Sequence, residues 1–321
     1  MTTLPRLTAL QLLPLPFSDL QQSLETHFEV IRLWESADKA NTLKTVAGRV
    51  HILLTSAMTP TRAELIDQLP ALKAICSMGV GFDAIDVEYA QSKGIPVSNT
   101  PDVLNDCVAD LAFSLVLSCA RQVVRGDQLV RSGQWGQAPA LPLGRSVHHK
   151  KMGIVGLGRI GHAIAQRAAG FSMTIGYHNR TERTESPYTY FPSLKALAEW
   201  SDFLVIATVG GAQTRHLVNR EVLQALGPKG IIVNIARGSV IDEQALIDCL
   251  HNGEVGGAGL DVFEHEPHVP DALKQLPNVV LLPHIGSATT ETRRAMASLV
   301  LENAFSFLQH GHLTTPIPTE S

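Results

Sequence analysis

A short aliphatic run, Lys151-Met-Gly-Ile-Val, leads straight into Gly156-Leu-Gly158-Arg159-Ile160-Gly161 and then into a helical pattern over 162–169. Glycines at this spacing make three separate demands on the backbone. The first permits a tight turn, the second lets the main chain approach a pyrophosphate, and the third lets the helix pack closely on the strand. The start of the helix offers free N–H groups and the positive end of a dipole to an anion. Residues 151–169 therefore read as a strand, turn and helix that cradle a dinucleotide, which requires a parallel sheet covered by helices.

The rest of the chain agrees with that requirement. Short aliphatic runs at 51–54, 74–76, 95–97, 152–155, 174–177, 203–207, 230–234 and 279–282 read as strands, and an N-terminal run punctuated by Pro5, Pro14 and Pro16 reads as a first strand. Amphipathic stretches such as 61–72 and 221–226 follow them. These are too many strands for one small sheet, and 321 residues suit two domains. Segments 65–97 and 222–259 echo each other as helix, strand, glycine loop, Ile-Asp, helix and strand, as two doubly wound units would. Between them, apolar residues at helical spacing (Val108, Leu111, Ala112, Leu115, Val116, Cys119) predict one long helix from about Asp106 to Ser132-Gly133, and 287–309 reads as a C-terminal helix.

Composition excludes several classes. With 45% hydrophobic, 17% charged and only 5% aromatic residues, the interior is aliphatic and the chain is not a disordered one. Lys+Arg of 26 against Asp+Glu of 30 leaves a net charge of -4, without the basic excess of a nucleic-acid binder. The longest apolar run, 108–120, contains Asp110 and is too short to span a bilayer. Cys76, Cys107, Cys119 and Cys249 form no C-x-x-C pair and read as free, mostly buried thiols, so neither a disulfide framework nor a metal site is expected. A soluble, cytoplasmic protein is the expectation.

The strand at 174–177 ends where an NAD enzyme places an acidic residue on the adenosine ribose, but this chain has Asn179-Arg180-Thr181. With no carboxylate to repel a 2′-phosphate, and with an arginine and a hydroxyl to hold one, NADP(H) is favoured over NAD(H). Three further strand ends carry reactive groups: Asn234-Ile-Ala236-Arg237-Gly238, Gly259-Leu-Asp261-Val-Phe-Glu-His-Glu266-Pro and Leu282-Pro-His284-Ile-Gly286-Ser. Carboxyl ends of strands are where doubly wound sheets place their sites.

Together with Ser77-Met-Gly79-Val80-Gly81-Phe-Asp and Val97-Ser-Asn99-Thr-Pro, these motifs run in order along nearly the whole chain. It resembles the D-2-hydroxyacid dehydrogenase family, most closely the NADPH-dependent glyoxylate/hydroxypyruvate reductases. The resemblance implies an α/β protein of two doubly wound, Rossmann/flavodoxin-like domains with a cleft between them: residues 1–100 plus 285–321 for substrate and 101–284 for cofactor. It implies that Arg237, Glu266 and His284 are catalytic. A histidinium suits proton donation to a carbonyl oxygen, a carboxylate on its other nitrogen favours the charged ring, and an arginine holds the substrate carboxylate. The backbone N–H groups of Val80 and Gly81 cup that carboxylate, and Asp261 supports the site near the cofactor. The cofactor set comprises Gly156, Gly158, Arg159, Ile160, Gly161, Asn179, Arg180, Thr181, Thr208, Ala236, Arg237, Asp261, His284 and Gly286.

The implied activity is reduction of small 2-oxo acids to 2-hydroxy acids, by a homodimer formed through the cofactor domain. The alternatives are a sibling for a larger, 2-ketogluconate-like acid and a nucleotide-sensing, co-repressor-like binding protein. Three departures stand out. Val209-Gly210-Gly211-Ala212 replaces a proline-containing stretch, His148-His149-Lys150-Lys151 replaces a small-glycine turn, and Ala138 stands where some relatives carry a second tryptophan after Trp135.

Overall fold

The computed structural model describes residues 6–137 and 139–318, so the Ala138 position lies outside the described residues. The chain forms two compact units, Met1–Leu104 with Ala288–Ser321, and Asn105–Ser287. The sequence reading divides the chain at 100/101 and 284/285.

In the first unit β1 (Thr8–Gln11), β2 (Glu29–Arg32), β3 (Val50–Ser56), β4 (Ala74–Met78) and β5 (Val97–Ser98) form a parallel sheet in the order β2-β1-β3-β4-β5. Side chains alternate between its faces, and both faces are buried, which is why these strands read as unbroken aliphatic runs. Leu10, Leu53, Ile75 and Val97 enter one core. Ala9, Ile52, Leu54 and Cys76 enter the other, where Leu24 of helix Ser18–His27 and Val300, Leu301 and Ala304 of helix Thr290–His310 cover them. None of the four cysteines is in a disulfide; Cys76 and Cys249 are buried, Cys107 and Cys119 partly buried.

In the second unit β6 (Lys151–Val155), β7 (Thr174–His178), β8 (Thr189–Tyr190), β9 (Phe203–Ile206), β10 (Ile231–Asn234), β11 (Gly257–Leu260) and β12 (Val279–Leu281) form a parallel sheet ordered β12-β11-β10-β9-β6-β7-β8. The chain winds outward from β6 to β8, then returns to β9 on the other side of β6. The carboxyl ends of β6 and β9 thus flank a switch point, the position where such sheets bind ligands.

Two strands escape the sequence reading. β2 and β8 are edge strands of four and two residues with few buried positions, so they lack an aliphatic run. The expected single helix from Asp106 is corrected to two, Asn105–Arg121 and Val123–Arg131, bent by 64° at Gln122. Neither proline nor glycine marks the break. Gln122 takes a left-handed conformation (φ 55), its amide donates to the Pro142 carbonyl at 2.6 Å, and the Arg145 N–H donates to the Ala120 carbonyl at 2.7 Å. The returning segment thereby takes over the end of the first helix, whose carbonyls need such partners. Among the described residues no single helix is long and apolar enough to cross a membrane.

The internal echo has a structural counterpart. The Asp86 N–H donates to the Thr61 carbonyl and the Asp242 N–H to the Val218 carbonyl, both at 3.0 Å, beside the parallel bridges Thr61 to Ile85 and Val218 to Ile241.

Candidate active site

The glycine turn is held from three sides. Gly156 has φ +96, and a Cβ there would lie 2.7 Å from the backbone N of Thr208, just beyond β9. A Cβ on Gly161 would lie 2.2 Å from the Gly156 carbonyl oxygen, so the helix Arg159–Ala169 sits as close to the turn as backbones allow. Gly158 differs, because a Cβ there would meet nothing within 4 Å. Its backbone opens onto free space at the helix start, which fits a pyrophosphate lying against the first-turn N–H groups. Arg159 is exposed and Ile160 partly buried in that turn.

Asn179, at the end of β7, accepts a hydrogen bond from the Leu157 N–H at 2.7 Å and so fixes the turn itself. The loop beyond it is pinned by Tyr177, fully buried, whose hydroxyl accepts from the Arg183 N–H at 2.9 Å. Arg180 and Thr181 stand exposed between these anchors, with the Arg180 guanidinium donating to Gln213 Oε1 at 2.7 Å.

The loops after β10, β11 and β12 converge. Asn234 closes β10, its Oδ1 accepting from the Ala236 N–H (3.0 Å) and its amide donating to the Arg237 carbonyl (2.9 Å). This shapes the loop that carries the partly buried Arg237, whose guanidinium donates to the Ala236 carbonyl at 2.8 Å. A Cβ on Gly238 would fall 1.9 Å from the Phe263 carbonyl carbon, so only glycine lets the β10 and β11 loops touch. Glu266 accepts from the Phe263 N–H through Oε1 (2.9 Å), and its Oε2 lies 2.7 Å from His284 Nδ1. Burial would raise the Glu266 carboxyl, but the His284 and Phe263 hydrogen bonds and the charges of His284 and Arg237 outweigh it and hold it below its ordinary range. An ionised carboxylate only accepts, so the hydrogen is assigned to Nδ1, and Nε2 is left to exchange a proton.

His284 itself has φ 54, a left-handed conformation that costs a non-glycine residue about 1–2 kcal/mol. Asp261, 1% exposed at the end of β11, holds it there. The Asp261 carbonyl accepts from the His284 N–H (2.9 Å), Oδ1 from the Ile285 N–H (2.7 Å) and Oδ2 from the Gly286 N–H (2.8 Å). Burial pushes its carboxyl up despite these donors. Both carboxylate oxygens are thus occupied by the turn that carries His284.

Val80 and Gly81 belong to the first unit, in the loop after β4. Gly79 has φ +133, and a Cβ on it would lie 2.5 Å from the Ala57 Cβ. Its N–H donates to the Thr100 hydroxyl, and the Asn99 amide donates to the Val80 carbonyl at 2.8 Å. Among the described residues the N–H groups of Val80 and Gly81 have no protein acceptor, as a carboxylate-binding nest requires.

Sequence reasoning passed over the bracing residues Asn99, Thr100 and Glu264, and the side-chain bonds of Asn234. Glu264 is partly buried and accepts from Arg215 (2.6 Å) and His216 Nε2 (3.0 Å). Burial works against its ionised form, but these two partners hold its carboxyl below the ordinary value. The available signal was a polar residue just past the end of an aliphatic strand. Among the described residues no group of three or more His, Cys, Asp and Glu side chains is placed to hold a metal ion.

An open glycine turn at the switch point of a parallel sheet, with an Arg, Glu and His at neighbouring strand ends, defines a dinucleotide-dependent oxidoreductase site. Residues 113–286 match the D-isomer specific 2-hydroxyacid dehydrogenase NAD binding domain. The chain is 47% identical to glyoxylate/hydroxypyruvate reductase A of Arabidopsis thaliana over 300 residues, covering 94% of this chain and 96% of that one. It is 43% identical to 2-ketogluconate reductase of Gluconobacter oxydans over 275 residues, 86% and 88% of the two chains. Among solved structures, the NADPH-dependent glyoxylate/hydroxypyruvate reductase of Sinorhizobium meliloti, in complex with NADP and malonate, superposes with a TM-score of 0.90 at 42% identity over 97% of each chain. The chain belongs to the D-isomer specific 2-hydroxyacid dehydrogenase family and is an oxidoreductase with an NAD(P)-binding Rossmann-type domain. None of these relatives supports the nucleotide-sensing alternative.

Proposed function

We propose that this protein is an NADPH-dependent reductase of small 2-oxo acids, glyoxylate and hydroxypyruvate first. The observation that carries the reading is the 2.7 Å bond between His284 Nδ1 and Glu266, beside Arg237 and in the same unit as the open glycine turn. Unit Asn105–Ser287 is the cofactor domain, with Gly156, Gly158 and Gly161 at the pyrophosphate and Arg180 and Thr181 at the 2′-phosphate. Within the other unit, the Val80 and Gly81 N–H groups form a nest suited to a carboxylate.

A reduced nicotinamide cofactor bound at the glycine turn would supply the hydride for the carbonyl carbon. Arg237 pairs with the substrate carboxylate and draws charge from the carbonyl oxygen through charge-assisted hydrogen bonds. His284 gives that oxygen a proton from Nε2, while Glu266 holds the ring through Nδ1 and compensates its positive charge. Asp261 keeps the His284 turn in place. Asn179 rather than a carboxylate directly after β7, and the presence of Arg180, favour NADP(H) over NAD(H), in line with the Sinorhizobium meliloti enzyme. We also read the protein as a cytoplasmic homodimer joined through its cofactor domain.

The test is a steady-state panel of glyoxylate, hydroxypyruvate and 2-ketogluconate, each with NADPH and with NADH. The expected result is the highest kcat/KM with NADPH and one of the two small acids. A best rate on 2-ketogluconate favours the larger-acid reading, which the Gluconobacter oxydans relative motivates. Preference for NADH refutes the cofactor assignment, and no oxidation of NADPH with any acid refutes the whole reading.

A further inference from the structure

The loop after β9, Val209-Gly210-Gly211-Ala212-Gln213-Thr214, departs from the family pattern, and nothing so far assigns it a role. Its far end is fixed. Arg215 and His216 both bond the partly buried Glu264, and the His216 N–H donates to the Ser239 carbonyl at 2.8 Å. Val218 then joins the Ile241 bridge. Towards its near end, Gly211 has φ +120, and a Cβ there would meet nothing within 4 Å. Thr214 closes the loop on itself, its hydroxyl donating to the Val209 carbonyl at 2.8 Å. This short, internally braced loop carries one side chain across to the end of β7: Gln213, whose Oε1 receives the Arg180 guanidinium at 2.7 Å.

We propose that Gln213 is a specificity-determining residue that parks Arg180 and is displaced from it by a 2′-phosphate but not by a 2′-hydroxyl. This rests on the reading of Arg180 as the phosphate ligand. A guanidinium bonded to a neutral amide gains no opposite-charge attraction, whereas a dianionic phosphate supplies both that attraction and paired acceptors for the guanidinium fork, so the phosphate outcompetes the amide. A ribose hydroxyl has no such advantage over the amide and leaves the Arg180–Gln213 pair intact. The glycines at 210 and 211 let the loop give way, while the Glu264 anchor returns Gln213 to the same place.

Exchange at this position separates competition from other roles. Gln213→Glu replaces the amide with a carboxylate that pairs with Arg180 and repels the phosphate. Gln213→Ala removes the competitor. Binding is measured by titration calorimetry of the full chain with adenosine 2′,5′-bisphosphate and with AMP, alongside the kcat/KM ratio of NADPH to NADH. Gln213→Glu should weaken the bisphosphate about tenfold relative to AMP and lower the cofactor ratio to match. Gln213→Ala should tighten the bisphosphate about two- to tenfold relative to AMP. Weaker bisphosphate binding in Gln213→Ala overturns the proposal, since Gln213 would then be a phosphate ligand rather than a competitor. Unchanged selectivity in both variants overturns it too. Arg180→Ala, measured in parallel, tells the two failures apart. If Arg180→Ala loses selectivity and the Gln213 variants keep it, the proposal fails and the Arg180 reading stands. If Arg180→Ala keeps selectivity, both fail.

Discussion

Asp261→Asn isolates the clamp on the turn that carries His284. The carboxylate is 1% exposed and accepts from two successive N–H groups, Ile285 at 2.7 Å and Gly286 at 2.8 Å. An asparagine has one accepting oxygen, so its NH2 confronts one of those donors and leaves it without an acceptor, at a cost of about 1–3 kcal/mol. The substitution also removes a buried charge, whose penalty shows in the raised carboxyl of Asp261. That penalty is present above the raised folded value and fades as pH falls through the ordinary aspartate range, so at neutral pH its removal offsets much of the lost hydrogen bond. The two terms leave the melting temperature within about 5 °C of the parent. Catalysis has no such compensation. His284 sits at φ 54, and a displacement of about 1 Å from Glu266 and the substrate lowers kcat about 100-fold. The KM values should move less than about fivefold, since Arg237 and the glycine turn lie on other strands. Steady-state kinetics and a thermal melt on the same preparation check this. A kcat within threefold of the parent refutes the clamp, and a melting temperature lowered by well over 5 °C refutes the offset.

Three further outcomes are expected. His284→Ala should lose about 10²–10⁴-fold in kcat for reduction, the range general acid catalysis supplies, and an undiminished rate refutes its role as proton donor. Glu266 has a lowered folded value, so its contribution to stability is present above the ordinary glutamate range and is lost as pH falls through the lower folded value; Glu266→Gln should therefore flatten the fall in melting temperature below about pH 5. A parallel decline in parent and variant contradicts that assignment. Gly238→Ala forces a Cβ to within 1.9 Å of the Phe263 carbonyl carbon, and overpacking that only backbone movement relieves costs about 1–3 kcal/mol or more. It should lower the melting temperature and separate Arg237 from Glu266, and a stable, fully active variant would show that the two loops part freely.

Most strands were legible because both faces of a parallel sheet are buried, and a run such as His51-Ile-Leu-Leu needs no context to be recognised. β2 and β8 were not, because they are short, bury few positions and so carry no aliphatic run. The helix break at Gln122 was hidden for a related reason. Its cause is the returning segment at 142–145, twenty residues away, rather than a breaker in the helix itself.

The site divides along the same line. The glycine turn and the presence of Arg237, Glu266 and His284 at strand ends are properties of spacing, so the sequence by itself determined the fold class and family and singled out the candidate reacting groups. Which groups touch was decided only by the tertiary structure. Asp261 reaches Ile285 and Gly286 across 24 and 25 residues, and Glu264 reaches His216 across 48. Gln213 reaches Arg180 across 33. Local propensity carries no information about such contacts. They exist because parallel strands bring the loops that follow them to one edge of the sheet, where a buried carboxylate must find its donors in whichever loop lies beside it.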